Sequence, residues 1–295
     1  MHSSAISFYD AICTAGLTPP DRIFPGKWHR FPGAGKGPAN RSGWCLLFDD
    51  EQGGCFGDWS TGLRQDWFRD SSCVYSRHRQ SADSNELRAA RLQAEVSRQA
   101  QYENAANRAR WIWDSSSGAP AGHSYLLLKG INPHNARVYN GLLVLPVTNF
   151  HGAITSLQFI APNGQKRLLS GGRKQGCFIA VAGDEENVEK IVICEGWATG
   201  CTLAEHEPAA LVLAAIDAGN LESVAVSARC HWPSAEIIIA GDDDRLTPGN
   251  PGATKAKAAA IAADALLALP QWPENAPAEL TDFNDLALWQ TGGDA

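Results

Sequence analysis

The sequence predicts an α/β protein built around a parallel β-sheet. Three short β-branched runs, separated by segments long enough to form crossover helices, indicate buried parallel strands. These runs are residues 191–194, 211–215 and 237–240. We expect three parts: a small antiparallel β domain at 1–80, a long helix and mixed α/β basic subdomain at 81–186, and the parallel-sheet domain at 187–295.

Composition sets the broad class. The chain of 295 residues is long enough for two or three domains, and an apolar content of 44% supports real cores. Because no run of 18 apolar residues occurs and the start lacks a charged, apolar leader, we expect no membrane span and no secretory signal. The eight cysteines include no Cys-x-x-Cys pair, which indicates reduced thiols in a cytoplasmic protein.

The net charge of −7 is unevenly distributed. Residues 1–180 carry 20 Lys and Arg against 13 Asp and Glu, whereas residues 181–295 carry 5 against 19. A basic part beside an acidic part suits a protein that holds a polyanion with one and metal ions with the other. The alternative is chance segregation of charge between domains.

The N-terminal part reads as a small aromatic sheet. A short helix is expected at 8–17, and strands at 43–48 and 55–59 flank a turn. Basic residues alternate with aromatic ones, an arrangement on which bases stack while phosphates find cations. The residues we assign to this surface are Trp28, Arg30, Trp44 and Trp59. The alternative is that a sheet this small needs large aromatics for its core.

Zinc is not expected in this part, because structural zinc sites use closely paired ligands. An irregular arrangement is the alternative. Its candidate ligands are His29, Cys45, Cys55, Cys73 and His78.

The middle part predicts a helix followed by hairpins. A capping-box-like start at Asp83 opens a helix that runs to about Trp113. Strands at 142–147 and 153–160 follow, and Asn163-Gly164 predicts a further turn. A glycine-rich basic loop at 170–176 can approach phosphates, or it is an ordinary exposed loop. The basic residues assigned to nucleotide or DNA binding here are Lys166, Arg167, Arg173 and Lys174.

Carboxylates follow two of the predicted parallel strands. Glu195 comes after the first strand, and Asp242 and Asp244 come after the third. Ligands of open parallel sheets bind at the carboxyl ends of the strands, and converging carboxylates need cations. Hard oxygen ligands suit Mg²⁺ or Mn²⁺. Asp217, after the second strand, is interpreted as a helix cap in preference to a metal ligand.

An Ala-rich helix is expected at 253–269. Lys255 lies in its first turns, where positive charge opposes the helix dipole. We assign Lys255 to a phosphate or carboxylate contact, with a solvated lysine as the alternative.

These motifs resemble the Toprim domain found in DnaG-type primases, topoisomerases and OLD-family nucleases. The segment Glu195-Gly196-Trp197-Ala198-Thr199-Gly200 is similar to the EGYATA motif of plasmid-transfer and phage primases. Asp242-Asp243-Asp244 followed by Asn250-Pro251-Gly252, and Thr281-Asp282-Phe283-Asn284-Asp285-Leu286, fit the same group. The resemblance covers about residues 140–290, and more weakly the first 75, which resemble a degenerate zinc ribbon.

The resemblance implies a DNA primase that makes short RNA primers on single-stranded DNA. Glu195, Asp242 and Asp244 would be catalytic and, with Asp282, would hold metal. Thr199 replaces an acidic residue of the DnaG pattern, which leaves the metal count open. The implied partners are a single-stranded DNA template, nucleoside triphosphates and a replicative helicase, with no membrane. The alternatives are a Toprim nuclease with the same carboxylates, and a non-catalytic single-strand binding module.

Overall fold

A computed structural model describes residues 7–69, 77–186 and 188–292, and the side chains of residues 77–89 and 91 lie outside that description. The chain divides into two compact units, Met1–Ala89 and Ala90–Ala295. Among the described helices, none combines the length and apolar character that a bilayer crossing requires.

The N-terminal unit is a four-stranded antiparallel sheet with one helix against it. Its elements are α1 (Phe8–Thr14), β1 (Trp28–Phe31), β2 (Gly43–Leu47), β3 (Gly53–Asp58) and β4 (Leu63–Phe68), and the strand order is β1-β2-β3-β4. Phe8 and Ile12 of α1 pack on Phe31, Cys45 and Phe56, which close one face of the sheet. The expected antiparallel β domain is confirmed, and β4 is a strand that the sequence analysis did not identify.

The second unit begins with the long helix and a five-stranded antiparallel sheet. The elements are α2 (Arg77–Asp114, which starts within the first unit), β5 (Ser117–Gly118), α3 (Ser124–Lys129), β6 (Arg137–Tyr139), β7 (Leu142–Thr148), β8 (Ile154–Ile160) and β9 (Lys166–Leu168), with strand order β5-β6-β7-β8-β9. Val144 and Phe159 pack against Ala109 of α2. Leu145 and Ile160 face the other way, into the core shared with the parallel sheet. The period-two pattern thus gives this sheet two apolar faces.

The rest of the second unit is a mixed sheet of five strands. Its elements are β10 (Ile179–Ala182), β11 (Lys190–Cys194), α4 (Trp197–His206), β12 (Leu211–Ala214), a 3₁₀ turn (Ala218–Asn220), α5 (Leu221–His231), β13 (Glu236–Ala240), α6 (Pro251–Ala262), β14 (Leu266–Ala268) and α7 (Phe283–Gln290). The strand order is β10-β12-β11-β13-β14, and only β10 runs antiparallel to its neighbour. The α/β fold class is therefore confirmed.

The Ala-rich helix is shorter than the sequence indicated. It ends at Ala262, and the chain turns at Asp264, whose φ of 49° is left-handed, before adding β14 beside β13. The exposed backbone edge of β13 gains hydrogen bonds from this pairing, which outweighs the helix propensity of the alanines. The strand β10 lies before residue 187, where the domain boundary is expected, and it pairs with β12 of the parallel sheet.

Candidate acidic active site

The site is built where three neighbouring strands end. β11 lies between β12 and β13, and Cys194 is level with both Ala214 and Ala240. The residues that follow these strands therefore leave the sheet at one edge. The expectation that the strands carrying Glu195 and Asp242 are neighbours is confirmed.

The helix after Glu195 approaches the sheet closely. Gly196 is the N-cap of α4, and Trp197 is almost fully buried. A Cβ on Gly200 would lie 2.9 Å from Val181 Cγ2 and 3.2 Å from Cys194 Sγ, so a glycine is needed there. The motif residues after Glu195 thus position the first turn of α4 against the strand ends.

One carboxylate oxygen of Glu195 is buried without a hydrogen bond to the described residues that would offset its loss of water. Its Oε1 is buried and has no hydrogen-bond partner among the described residues, while the N–H of Ala218 donates to the carboxylate. Burial, followed by repulsion from Asp244, raises the pKa of Glu195 to about 7. The charged form is disfavoured, as expected for a desolvated carboxylate near other anions.

Asp242 has the same character. Its Oδ1 is buried and lacks a partner in the described part of the chain, and burial together with repulsion from Glu195 and Asp282 raises its pKa to about 8. A cation between Glu195 and Asp242 would remove both penalties, so these residues fit Mg²⁺ or Mn²⁺. Within the described residues, no three His, Cys, Asp or Glu side chains already form a complete metal-binding group. Mg²⁺ commonly uses one or two carboxylates and takes its other ligands from water and substrate phosphates.

Asp244 and Asp282 have protein donors. Asp244 Oδ2 accepts from Gly252 N at 2.9 Å. Asp282 is the N-cap of α7: its Oδ1 accepts from Asp285 N at 2.8 Å, and its Oδ2 accepts from Thr199 Oγ1 at 3.1 Å. Both carboxylates lie close enough to raise the pKa of Glu195. Thr199, which stands where DnaG-type primases have an acidic residue, donates a hydrogen bond to the acidic group without adding charge.

Lys166 faces the acidic edge and Arg167 does not. A Cβ on Gly196 would lie 4.0 Å from Lys166 Nζ. Desolvation and then repulsion from Lys129 lower the pKa of Lys166, while Asp282 and Asp242 raise it. The next side chain along β9 points to the opposite face of the sheet, because side chains alternate along a strand.

The guanidinium of Arg167 lies 5.0 Å from the ring centroid of Phe159. Both line a pocket of about 370 Å³ with Tyr139 and Leu142, on the α2 side of the sheet. Lys166 and Arg167 therefore lie on opposite faces of β9, and the assignment of Arg167 to nucleotide or DNA binding stays a prediction.

The basic loop is attached to the acidic edge. Lys174 Nζ lies 2.5 Å from Asp217 Oδ2, and the charge of Asp217 in turn raises the pKa of Glu195. Asp217 was interpreted as a helix cap, but its side chain makes no capping hydrogen bond and pairs with Lys174 instead. Arg173 is exposed and lines two open pockets away from this pair.

Asn220 holds the loop in place and was not identified from the sequence. It is fully buried, accepts from Gly176 N at 2.9 Å, and donates to the carbonyl oxygens of Cys177, Ala215 and Lys174. A single side chain thus joins the basic loop to the end of β12. No local pattern distinguishes this residue from an ordinary polar loop residue.

Lys255, which was assigned to a phosphate or carboxylate contact, lies on the exposed face of α6.

The N-terminal unit brings its four assigned residues together on the sheet face opposite α1. Trp28 and Trp59 are 56% and 54% exposed, with ring centroids 6.5 Å apart and an interplanar angle of 13°. Trp44 is buried and lies 5.1 Å and 5.6 Å from these two rings. Arg30 stacks over Trp59 at 4.1 Å and donates to Arg41 O. The structure therefore contains an aromatic and basic surface, in which the buried ring of Trp44 contacts the exposed rings of Trp28 and Trp59.

The described candidates for the irregular zinc arrangement divide between the two faces of the sheet. Cys45 and its cross-strand partner His29 share the face that α1 covers, while Cys55 lies on the other face. His29 Nε2 accepts from Phe24 N at 2.9 Å. Burial raises the pKa of Cys45 to about 12, which disfavours the thiolate that zinc requires. Cys73 and the side chain of His78 lie outside the described residues.

Comparisons with known proteins agree with the site. Residues 190–294 match the family model described as Toprim domain. A DNA primase TraC of Escherichia coli is 31% identical over 276 residues, which is 88% of this chain and 25% of that protein. A second DNA primase TraC of Escherichia coli is 40% identical over 148 residues, or 48% of this chain and 10% of that protein.

Among solved structures, the primase fragment of the bacteriophage T7 primase-helicase protein has a TM-score of 0.39 at 16% identity, covering 60% of this chain and 79% of that one. The chain spans about a quarter of the first curated relative and about a tenth of the second. Residues 190–294 thus match the Toprim domain family, and the resemblance of this chain to Toprim-domain DNA primases is confirmed.

Proposed function

We propose that this chain is a DNA primase that synthesises short RNA primers on single-stranded DNA. The observation that carries the proposal is the pair of buried, unpartnered carboxylate oxygens of Glu195 and Asp242 at the edge of a Toprim sheet. A site that disfavours its own ionised carboxylates is suited to bind a divalent cation. The match to proteins named DNA primase supports the choice of nucleotidyl transfer among the reactions that such a site allows.

In the proposed reaction, the 3′-oxygen of one nucleotide forms a bond to the α-phosphorus of a nucleoside triphosphate. The bond from that phosphorus to the bridging oxygen breaks, and pyrophosphate leaves. Bound Mg²⁺ or Mn²⁺ would promote loss of the hydroxyl proton and offset the charge of the leaving pyrophosphate. Glu195 and Asp242 would hold the metal, with Asp244 and Asp282 beside them, and Glu195 is also placed to take the proton.

Basic and aromatic residues divide the remaining roles. Lys166 and Lys174 reach the acidic edge and would bind triphosphate oxygens. Trp28 and Trp59 would stack on unpaired template bases, while Arg30 supplies charge beside them. A replicative helicase is a further proposed partner, and the cytoplasm is the proposed compartment.

Product chemistry tests the proposal. The protein is incubated with unlabelled single-stranded template, labelled ribonucleotides and Mg²⁺ or Mn²⁺, and in parallel with end-labelled template alone. Primer synthesis gives labelled oligomers of a few nucleotides and leaves the template intact. Shortened template without new oligomers would instead establish a Toprim nuclease. If neither oligomers nor shortened template forms, the chain is a non-catalytic single-strand binding module. The variant D242N is the matched control, because it keeps the side-chain size and removes the charge.

A further inference from the structure

Asp243, between the two aspartates assigned to metal, has a different environment from either. Its Oδ1 accepts from Asn250 Nδ2 at 2.6 Å, and its Oδ2 accepts from Trp272 Nε1 at 2.9 Å. Arg245 Nε lies 3.9 Å from the same Oδ2. Only 17% of the Asp243 side chain is exposed. Both oxygens are therefore engaged by protein donors, in contrast to the unpartnered Oδ1 of Asp242.

One partner of Asp243 also holds the backbone of Asp244. Asn250 has a left-handed φ of 41°, and its Oδ1 accepts from Asp244 N at 2.9 Å and from Ala253 N at 3.3 Å. The same side chain donates to Asp243, so Asn250 joins the acidic loop to the start of α6. A residue there must present an acceptor and a donor at once, which the amide of Asn does.

The other partners connect the loop to the segment that leads to Asp282. The guanidinium of Arg245 lies 4.4 Å from the ring of Trp272 and donates to Pro277 O and Leu280 O, at 2.7 Å and 3.1 Å. Asp243 N donates to Thr281 O at 2.7 Å, immediately before Asp282. Residues 270–281 contain no helix or strand, so these contacts are what define their path beside the loop.

We propose that Asp243 is a positioning residue that fixes the carboxylates of Asp242 and Asp244 relative to Asp282. The Asp243 network, meaning Asp243, Arg245, Asn250 and Trp272, holds two loops that have no regular structure of their own. Without it, the buried carboxylates would repel one another and separate. The inference rests on the proposed function, in which these carboxylates bind metal for nucleotidyl transfer.

A charge-swap cycle tests the inference. D243N leaves a single carbonyl oxygen for two donors, Asn250 Nδ2 and Trp272 Nε1, so one of those two bonds is lost. N250D places a carboxylate opposite the carboxylate of Asp243 and breaks that pair. The double variant D243N/N250D restores one donor facing one acceptor and keeps acceptors for Asp244 N and Trp272 Nε1. E274Q, an exposed change of the same kind in the same segment, is the control.

The readouts are Mn²⁺ affinity by electron paramagnetic resonance, thermal unfolding, and kcat and KM for primer synthesis. We expect each single variant to lower Mn²⁺ affinity and kcat by roughly 10–100-fold, in the range for residues that orient metal ligands. KM for nucleotides should change less than about twofold, because the phosphate-binding lysines lie outside the network. The double variant should recover most of the Mn²⁺ affinity, and E274Q should match the wild type.

Two outcomes overturn the inference. Wild-type Mn²⁺ binding by D243N would show that the network positions nothing. Loss of Mn²⁺ binding that the swap does not recover would make Asp243 a ligand in its own right. If D243N fails to fold, W272F is the second variant. It removes the Nε1 donor to Asp243 and shortens the ring beside Arg245 but leaves the Asn250 contact, so it should show a smaller loss in the same direction. Wild-type binding by W272F would then count against the network. Since Mn²⁺ binding is measured without nucleotides, these outcomes hold even if the wild-type protein makes no primers.

Discussion

Three consecutive aspartates at the edge of one sheet differ in the hydrogen-bond partners of their carboxylates. Asp242 keeps a buried oxygen without a partner, Asp243 is fully engaged by protein donors, and Asp244 accepts from Gly252 N. Chemical identity therefore does not distinguish a proposed metal ligand from a proposed positioning residue here. What distinguishes them is which hydrogen bonds the surrounding loops provide.

The buried, unpartnered oxygen of Glu195 predicts that one substitution will abolish activity without lowering stability. E195Q removes the charge and keeps the size, so primer synthesis should be abolished. Because burial disfavours the ionised form, the metal-free variant should unfold at a temperature no lower than the wild type at pH 8. Circular dichroism melting and the primer assay measure the two, with the exposed E186Q as control. Near-normal synthesis by folded E195Q would refute the catalytic assignment.

The raised pKa values of Glu195 and Asp242 predict a pH dependence with a definite sign. Both acids have folded pKa values of about 7 and about 8, against about 4 in the unfolded chain. The stability they contribute is therefore complete below about pH 4 and is lost as pH rises to about 8. In EDTA, the free energy of unfolding should be lower at pH 9 than at pH 6, and D242N should reduce that difference.

Metal binding should show the opposite trend. Mn²⁺ must displace protons from the two acids, so its affinity should increase between pH 6 and pH 9. Calorimetric titration in buffers of different ionisation enthalpy would count the protons released. Binding that is independent of pH across this interval would contradict the arrangement of the site.

At the scale of elements, the basic loop at 170–176 depends on a contact outside itself. Asn220 fixes its backbone, and Asp217 fixes the side chain of Lys174. A glycine-rich segment gains a defined shape in this way, because the side-chain amide of Asn220 accepts from and donates to the loop backbone, and glycines have no side chain of their own to hold it. The loop and the end of β12 therefore act as one structural piece beside Glu195.

Replacing Arg173 and Lys174 with Ala should weaken binding of single-stranded DNA. Each phosphate contact contributes about −0.7 to the slope of log affinity against log salt, so the slope should become shallower by roughly 1.4. Fluorescence anisotropy across a salt series measures it. K190A is the control, since Lys190 pairs with Glu207 at the far end of β11. An unchanged slope would show that neither residue contacts DNA phosphates.

At the scale of the whole molecule, the two units each have their own core. The first packs α1 on one face of its sheet, and the second surrounds its strands with apolar clusters on both sides. The acidic residues assigned to metal all belong to the second unit, and the exposed tryptophan surface belongs to the first. The proposed metal site and the proposed template surface therefore lie in different units of the chain.

Deleting residues 1–75 should leave a folded protein that still binds Mg²⁺ or Mn²⁺, while de novo initiation falls sharply. Stacking is worth about 1–3 kcal/mol per base, so loss of the Trp28 and Trp59 contacts should weaken template binding tenfold or more. Unchanged initiation by the truncated protein would end the template-recognition proposal. Metal analysis of the intact protein is an independent check, because stoichiometric zinc that disappears with the deletion would contradict a zinc-free domain.

The sequence by itself determined the Toprim domain, the α/β class, and the strand ends at which Glu195 and Asp242 lie. These features follow from local apolar runs and from the rule that ligands meet the carboxyl ends of parallel strands. Trp28, Arg30, Trp44 and Trp59 were also identified from the sequence, as aromatic residues interleaved with basic ones on a small sheet, whereas their position on one face follows from the strand pairing.

Only the tertiary structure decided which atoms are free and which are engaged. The side chain of Asp217 pairs with Lys174 and makes no capping hydrogen bond. Asn220 bonds Cys177, 43 positions away, and Asp243 bonds Trp272, 29 positions away, which no local pattern encodes. β14 forms because its backbone pairs with the otherwise unpaired edge of β13. In each case the deciding term is a hydrogen bond or desolvation supplied by a distant segment, and that term appears only once the chain is folded.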